Sequence, residues 1–600
     1  MALHTSVITT GPITPYVELK ADEGGEFIVH GPTEPPLQEL TTAELLQQQY
    51  DRYPEKVAVV SRWQKTTLTY RSLFDSSREI AQALVAHGVR PTDRVVVLAG
   101  NSIEYVESLF AVGGIGSVFT IMNPTFTAEE VLATVDFIGI IRFLLLVYWS
   151  LVFAIFIADR IGFRNNAKLL KELADKHQNT SLIVQLGTAE KVSSNVLSWH
   201  DFRHVQNSKT QPDLHSLEQY WGRGDPQDAL SIQFTSGTTG SRKATVGTHS
   251  NLINNALLVG SRLGLTPDDI LCCSPPLFHC FGLVCGPLAT VIHGSTVIIP
   301  SDVFNADASL RAMSEESCTV VNAVPTMFQA MLDHAKAKTL ALKLCLRAGI
   351  IAGSSLSETL IQRLSVELGL TGLAYPFGMT ELSCVSFMTT PSKVSLLNDR
   401  SSVGTPLPHT SAKVVDSDLI TLPPDTRGEL LVSGYLLFSG YYKNPQKTEE
   451  AIVRDAQGQP WLRTGDIVTL SASGACTVVG RVKDMIKKGG ENIAPGDVEK
   501  VLEQHPDIAT AAVVGIPNVR LGEMITAFIQ RAPDAQGGLK SKDVKIWLRS
   551  RIATHKIPDH VLWIGEVAGV PDRLPVNASG KVLKTELSAI ASSLVRGDLC

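Results

Sequence analysis

The run Thr235-Ser236-Gly237-Thr238-Thr239-Gly240-Ser241-Arg242-Lys243 carries the residue types that hold a polyphosphate. Gly237 and Gly240 let a backbone fold tightly and turn its N–H groups inward, while the Ser and Thr hydroxyls add donors and Lys243 supplies a cation. It is not a Walker A loop, whose lysine stands between Gly and Ser or Thr, because Arg242 and Ala244 flank the lysine here. Composition of this kind more often makes a flexible surface loop. The apolar run Leu230–Phe234 in front, read as a strand, and the lysine behind favour the phosphate reading.

Such a loop needs a framework of strands. Lys56–Ser61, Asp93–Gly100, Ile270–Ser274, Thr319–Pro325 and Ala348–Ala352 read as buried strands ended by Gly, Pro or polar residues. Between them Ser357–Leu368 reads as a helix, with Leu360, Ile361, Leu364 and Leu368 on one face. The alternation predicts an α/β fold of layered, mostly parallel sheets, and no fixed-period repeat suggests a solenoid. Near residue 480 the texture changes. Gly480–Gly490 is basic and glycine-bearing; beyond it Val498, Val501 and Leu502 share a helix face, Ala511–Ile516 fits a strand, and Val544, Trp547, Leu548 and Ile552 mark another helix face. The expected organisation is a loose arm over residues 1–45, a large multi-subdomain domain over 46–480 and a small α+β domain over 481–600.

Composition narrows the function classes. In 600 residues, 44% are apolar and 19% charged, enough to bury a large core and to exclude a disordered, collagen-like or coiled-coil chain. The net charge of −6 leaves no basic excess for a nucleic-acid backbone, so no nucleic-acid partner is expected. Nine cysteines without a CxxC pair point to a reducing compartment. Met1–Tyr16 lacks a basic start followed by an apolar run, so no signal peptide is read and an intracellular, cytoplasmic location is expected.

With the segments that follow it, the phosphate loop resembles the nucleotide-binding loop of the adenylate-forming enzymes: acyl-CoA synthetases, coumarate-CoA ligases, firefly luciferases and nonribosomal adenylation domains. The family commonly has proline where Arg242 stands. Ala352-Gly353-Ser354-Ser355-Leu356 resembles its adenine-lining loop. Phe377-Gly378-Met379-Thr380-Glu381 resembles its aromatic-Gly-Met-Thr-Glu motif, which implies Phe377 near the adenine, Thr380 near the α-phosphate and Glu381 on magnesium. Trp461-Leu462-Arg463-Thr464-Gly465-Asp466 is similar to a motif whose aspartate grips the ribose hydroxyls. Gly480-Arg481-Val482-Lys483-Asp484-Met485-Ile486-Lys487, then Gly489, Gly490, Glu491, Asn492, Ile493 and Pro495, resembles the family's domain junction. That match implies Arg481 as a nucleotide contact, Lys483 as hinge, and Lys487, Gly489 and Gly490 near the pantetheine. Leu574–Lys581 resembles the C-terminal motif whose lysine, here Lys581, serves adenylation. Alone, Thr380-Glu381 is a helix cap and Thr-Gly-Asp an ordinary turn. Their order is what gives them weight, and the resemblance spans roughly residues 45 to 590.

The resemblance implies an ATP- and Mg2+-dependent ligase that converts a carboxylic acid to an acyl-adenylate and passes the acyl group to the thiol of CoA, with the C-terminal domain rotating between the two steps. Pro276-Leu277-Phe278-His279-Cys280-Phe281-Gly282 is similar to a family segment bordering the carboxylate and acyl chain, which places His279, Phe281 and Gly282 at the acyl pocket, although a core histidine weighs equally. Neither this segment nor Val324–Phe328 holds an arginine or aspartate, which favours a fatty or other apolar acid over an amino acid. Among relatives the texture is nearest the medium-chain acyl-CoA synthetases. The alternatives are an acyl-AMP ligase loading a carrier protein's phosphopantetheine in secondary metabolism, an aryl-acid ligase of the coumarate type, and a membrane-bound binding protein without turnover. Intact Lys581, Glu381 and Asp466 argue against the last.

Phe137–Ala158 is almost wholly apolar, with Arg142 its sole charge, and is long enough for a bilayer span of roughly 20 residues. Three explanations compete: a membrane anchor, an unusually apolar buried element, or noncoding sequence translated with the rest. Asn123–Glu130 fits the family's start of a helix, and the resemblance resumes around Ala167–Leu173. A span would split one domain across a bilayer, so the expectation is that the segment does not cross a membrane.

Overall fold

The computed structural model describes residues 18–21, 26–139, 152–177, 182–187, 190–204, 214–235, 243–352, 358–393, 402–489, 491–532, 535, 538–576 and 582–597. Runs of Val, Ile and Leu bounded by polar turns become strands buried on both faces, as parallel sheets require. Among the described residues two eight-stranded sheets carry the body of the chain. The first runs Leu197–Ser198, Leu182–Leu186, Val152–Ala158, Arg94–Leu98, Val118–Ile121, Ala229–Thr235, Lys243–Thr248, Gly440–Tyr441. It is parallel as far as Ala229–Thr235, and its last two strands are antiparallel. The second holds the expected strands at Val57–Ser61, Ile270–Cys273, Val320–Ala323 and Ala348–Ile351, with Thr296–Ile299 between the first two. One hydrophobic core joins the two sheets through helices such as Ile103–Gly114 and His249–Leu263.

A third, antiparallel sheet is built on Thr410–Val415, Gly428–Gly434 and Pro460–Leu470. For the described residues 26–45 it corrects the reading of a loose arm. Phe27–His30 pairs antiparallel with this sheet, Val29 opposite Ala412 and His30 opposite Ser411, and Val29 is fully buried. Thr41 then caps the helix Thr42–Arg52 through a capping box with Glu44. The small sheet of the C-terminal region pairs Ile508–Asn518 with Gly522–Arg531, flanked by Ile486–Lys488 and by the parallel strand His560–Trp563. The helices Pro495–Leu502 and Ser541–Arg549 cover it. Ile552, expected on the second helix face, lies just beyond that helix and still packs on the same core.

The apolar run resolves into two packed elements. Ile138, near the end of the helix Ala128–Gly139, is buried. Val152–Ala158 is an interior strand between Arg94–Leu98 and Leu182–Leu186. Ala154 and Phe156 face the main core, and Ile155 and Ile157 face a second core under the helices Ala128–Gly139 and Ala167–His177. A strand covered on both sides has no polar face to show, which accounts for its composition. Only residues 140–151, which lie outside the described residues, remain between helix and strand; a span needs roughly 20. Among the described residues no helix is long and apolar enough to cross a membrane.

A buried carboxylate beside this core carries a pH signature. Glu107, 3% exposed on the helix Ile103–Gly114, has Arg203 4.0 Å away, and burial pushes its pKa from 4.5 up to about 7. A raised acid pKa means the fold binds the proton more tightly than the unfolded chain. Its penalty is therefore absent below pH 4.5 and complete above about 7. At about 1.4 kcal/mol per unit this amounts to about 3 kcal/mol. Glu107→Gln removes the penalty, so the Tm difference between variant and wild type should widen in the variant's favour from pH 5 to pH 8. A constant difference would mean that Arg203 compensates the charge fully.

Candidate active site

The two strands that flank residues 236–242 are antiparallel neighbours in the first sheet. Thr235 ends one strand, Lys243 begins the next, and the two are register partners, so residues 236–242 connect a hairpin. Ser236, Gly237, Thr238, Thr239 and Gly240 lie outside the described residues, as do Gly353, Ser354, Gly490 and Lys581. The Lys243 ammonium lies 4.8 Å from the centre of the Tyr441 ring and 3.4 Å from the Tyr441 hydroxyl.

The Phe377–Glu381 segment approaches the same place from another element. Phe377 belongs to a short strand paired with Phe387–Met388, and Thr380–Leu382 forms a single 3-10 turn. Gly378 is required by close approach: a Cβ there would meet the Cys384 carbonyl oxygen at 1.9 Å. The Glu381 carboxylate is 6% exposed and its Oε1 accepts from the Tyr441 hydroxyl at 2.8 Å, while its backbone oxygen accepts from the Phe438 N–H at 3.1 Å. Burial pushes the Glu381 pKa up, against the lowering effects of the Tyr441 hydrogen bond and the Lys243 charge. A divalent cation would offset that desolvation. No group of three or more metal-ligating side chains assembles among the described residues. A buried carboxylate such as Glu381 fits magnesium, a hard cation that commonly completes its shell with phosphate and water oxygens.

On the third sheet, Asp466 and Arg481 are register partners on neighbouring strands, and the arginine Nε lies 3.1 Å from the aspartate Oδ1. Asp466 is 5% exposed, and its N–H donates to Thr464 Oγ1 at 3.1 Å. Gly465 takes a left-handed φ of +71°, which turns the chain between these two residues. Lys483 follows in the 3-10 turn Val482–Asp484, exposed at the surface, and partial desolvation lowers its pKa. Lys487 lies on the strand Ile486–Lys488, and its N–H donates to Glu523 Oε2 at 2.6 Å. Gly489 has φ +61° and donates to the Leu521 carbonyl at 2.7 Å.

His279 caps a short helix, its Nδ1 accepting from the Phe281 N–H at 3.2 Å, with Phe281 and Gly282 buried behind it. The Cys280 sulfur is 3.8 Å from Thr380 Oγ1, which brings this apolar segment to the same turn as Glu381. Motif order did not reveal Tyr441. Its link to Glu381 spans 60 positions and rests on a two-residue strand, Gly440–Tyr441, that exists only through its pairing with Thr245 and Val246.

The family model described as AMP-binding enzyme matches residues 46–442, and that of the AMP-binding enzyme C-terminal domain matches residues 497–581. The chain is 38% identical over 593 residues to the acyl-CoA ligase sidI of Beauveria bassiana (strain ARSEF 2860), covering 98% of each chain. It is 30% identical over 574 residues to the mitochondrial medium-chain acyl-CoA ligase ACSF2 of Danio rerio, covering 93% of this chain and 89% of the relative. A solved anthranilate CoA ligase, AuaEII in complex with anthranoyl-AMP, shares the fold with a TM-score of 0.78 at 23% identity, over 94% of this chain and 99% of that one. The chain belongs to the AMP-binding, adenylate-forming enzyme family. It is an AMP-forming acid–thiol ligase that uses ATP.

Proposed function

We propose that the chain activates a fatty or similarly apolar carboxylic acid with ATP and transfers the acyl group to CoA. The observation that carries this reading is the convergence of Lys243 and Glu381, from separate motifs, on the one hydroxyl of Tyr441. A cation and a carboxylate so placed suit a magnesium nucleotide. Apolar residues support the substrate class: Phe281, Leu283 and Val284 are buried, as are Val324 and Met327, and no charged residue falls in 276–286 or 324–328. Kinship to ligases named for medium-chain and other acyl groups agrees with it.

In this reading the acid's carboxylate attacks the α-phosphorus of ATP and pyrophosphate leaves. Lys243 and the 236–242 loop hold the phosphates, Asp466 accepts from the ribose hydroxyls with Arg481 fixing its orientation, and Lys581 stabilises charge growing on the phosphoryl oxygens. Phe377 and the 353–354 loop flank the adenine, and Thr380 lies at the α-phosphate. Glu381 would hold magnesium, which would supply further charge neutralisation. The CoA thiol then attacks the acyl carbon and AMP departs, with Lys483 as hinge and Lys487, Gly489 and Gly490 beside the pantetheine. His279, Phe281 and Gly282 border the acid. Free thiols at all eight described cysteines accord with a reducing intracellular location.

Pyrophosphate release across straight-chain, aryl and amino acids, followed by thioester detection with CoA and with a phosphopantetheinyl carrier protein, tests the reading. Release with straight-chain acids and thioester on CoA are expected. Preference for aryl or amino acids, or thioester only on the carrier, would replace the substrate or the acceptor.

A further inference from the structure

We propose that Tyr441 is a positioning residue for adenylation, holding the Glu381 carboxylate and the Lys243 ammonium in fixed places around its single hydroxyl. The inference deepens the proposed ATP-dependent ligation and rests on it. The hydroxyl donates to Glu381 Oε1 at 2.8 Å, and its oxygen lies 3.4 Å from Lys243 Nζ as an acceptor. One neutral group thus uses both its donor and its acceptor on the two charged side chains of the phosphate site.

The ring is held by its surroundings. Tyr441 pairs with Thr245, two residues past Lys243, and the neighbouring Ser439 and Tyr442 N–H groups donate to the Val246 and Ala244 carbonyls at 3.0 and 2.8 Å. Its own N–H donates to Thr448 Oγ1 at 2.9 Å, and the Phe438 ring packs edge-on at 4.8 Å. The same segment grips Glu381 a second time, through the Phe438 N–H on the Glu381 carbonyl at 3.1 Å. The carboxylate is thereby fixed at its backbone and at one oxygen. A hydrogen bond to a charged group also limits rotation of the carboxylate, so ordering of this group does not fall on the nucleotide-binding step.

The test compares wild type with Tyr441→Phe, which keeps ring and packing and deletes only the hydroxyl. Two readouts are needed. Pyrophosphate release with saturating acid should fall about 10-fold or more in kcat, with KM for the acid within about twofold. Mn2+ titrated into enzyme and ATP, followed by electron paramagnetic resonance, should bind about 10-fold more weakly, at an unchanged Tm. Unaltered kcat and Mn2+ affinity would overturn the proposal, as would equal losses in every parameter together with a lowered Tm. Should Tyr441→Phe melt early, Thr448→Val, which loosens the Tyr441 backbone and spares the hydroxyl, should give a smaller loss of the same pattern; no loss overturns the proposal. Failure of wild type to release pyrophosphate with any acid would refute the ligase reading instead, while Mn2+ binding would still judge Tyr441.

Discussion

Lys581→Ala is expected to lower adenylate formation by at least about 10²-fold while leaving thioester formation from supplied acyl-AMP within about twofold. A cation aimed at the α-phosphoryl oxygens matters only while charge grows there, so its removal acts on the first half-reaction alone. Lys581 lies outside the described residues, and the residues that flank 577–581 are anchored. Val576 and Val582 form an antiparallel bridge, and the Leu583 N–H donates to the Pro575 carbonyl at 2.9 Å. The helix Lys584–Gly597 follows at once, and Leu587 and Ala591 bury themselves against the strands of the C-terminal sheet. With both flanks anchored, loss of one side chain between them should leave the domain folded. Pyrophosphate release measured beside thioester formation from acyl-AMP separates the outcomes. Equal loss in both would point to a defect in the whole domain, and unchanged release would remove Lys581 from the chemistry.

Parallel strands buried on two faces announce themselves as continuous apolar runs. Arg94–Leu98, Val320–Ala323 and Ala348–Ile351 were legible for that reason. Phe27–His30 was not: at four residues it has no period to read, and it is a strand only because Ala412 and Ser411 pair with it from the far end of the chain. The apolar run at 137–158 left its explanation open in the sequence. Its composition suits both a lipid environment and an interior strand, and only its neighbours Arg94–Leu98 and Leu182–Leu186 decide between them. At the site, the types and order of Lys243, Glu381, Asp466 and Arg481 were readable because each belongs to a local motif. The pairing of Asp466 with Arg481 follows from strand register, and the meeting of Lys243 with Tyr441 from a two-residue strand, neither of which leaves a local trace. His279 shows the limit from the other side. Its cap on Phe281 serves the fold, while its neighbour Cys280 touches Thr380, so one short segment has both structural and site contacts.

Glu381→Gln should separate function from stability most sharply. Adenylation is expected to fall by about 10²-fold or more, because an amide cannot replace the charge that a divalent cation requires. Stability should not fall with it. Burial raises the Glu381 pKa in spite of the Tyr441 hydrogen bond and the Lys243 charge, so ionisation of this side chain costs the folded state more than the unfolded chain. Glutamine supplies a neutral form, its carbonyl oxygen can still accept from Tyr441, and its volume is nearly unchanged. Near neutral pH the ligand-free variant should melt at the wild-type temperature or slightly above it, whereas a residue retained for the fold would melt lower when altered. Thermal melts without nucleotide, set beside pyrophosphate release over a range of Mg2+ concentrations, distinguish the cases. A lowered Tm with near-normal release would make Glu381 a structural member of the turn. Lost release at a preserved or raised Tm would identify a carboxylate kept in an unfavourable place for the nucleotide and its metal, with Tyr441 holding it there.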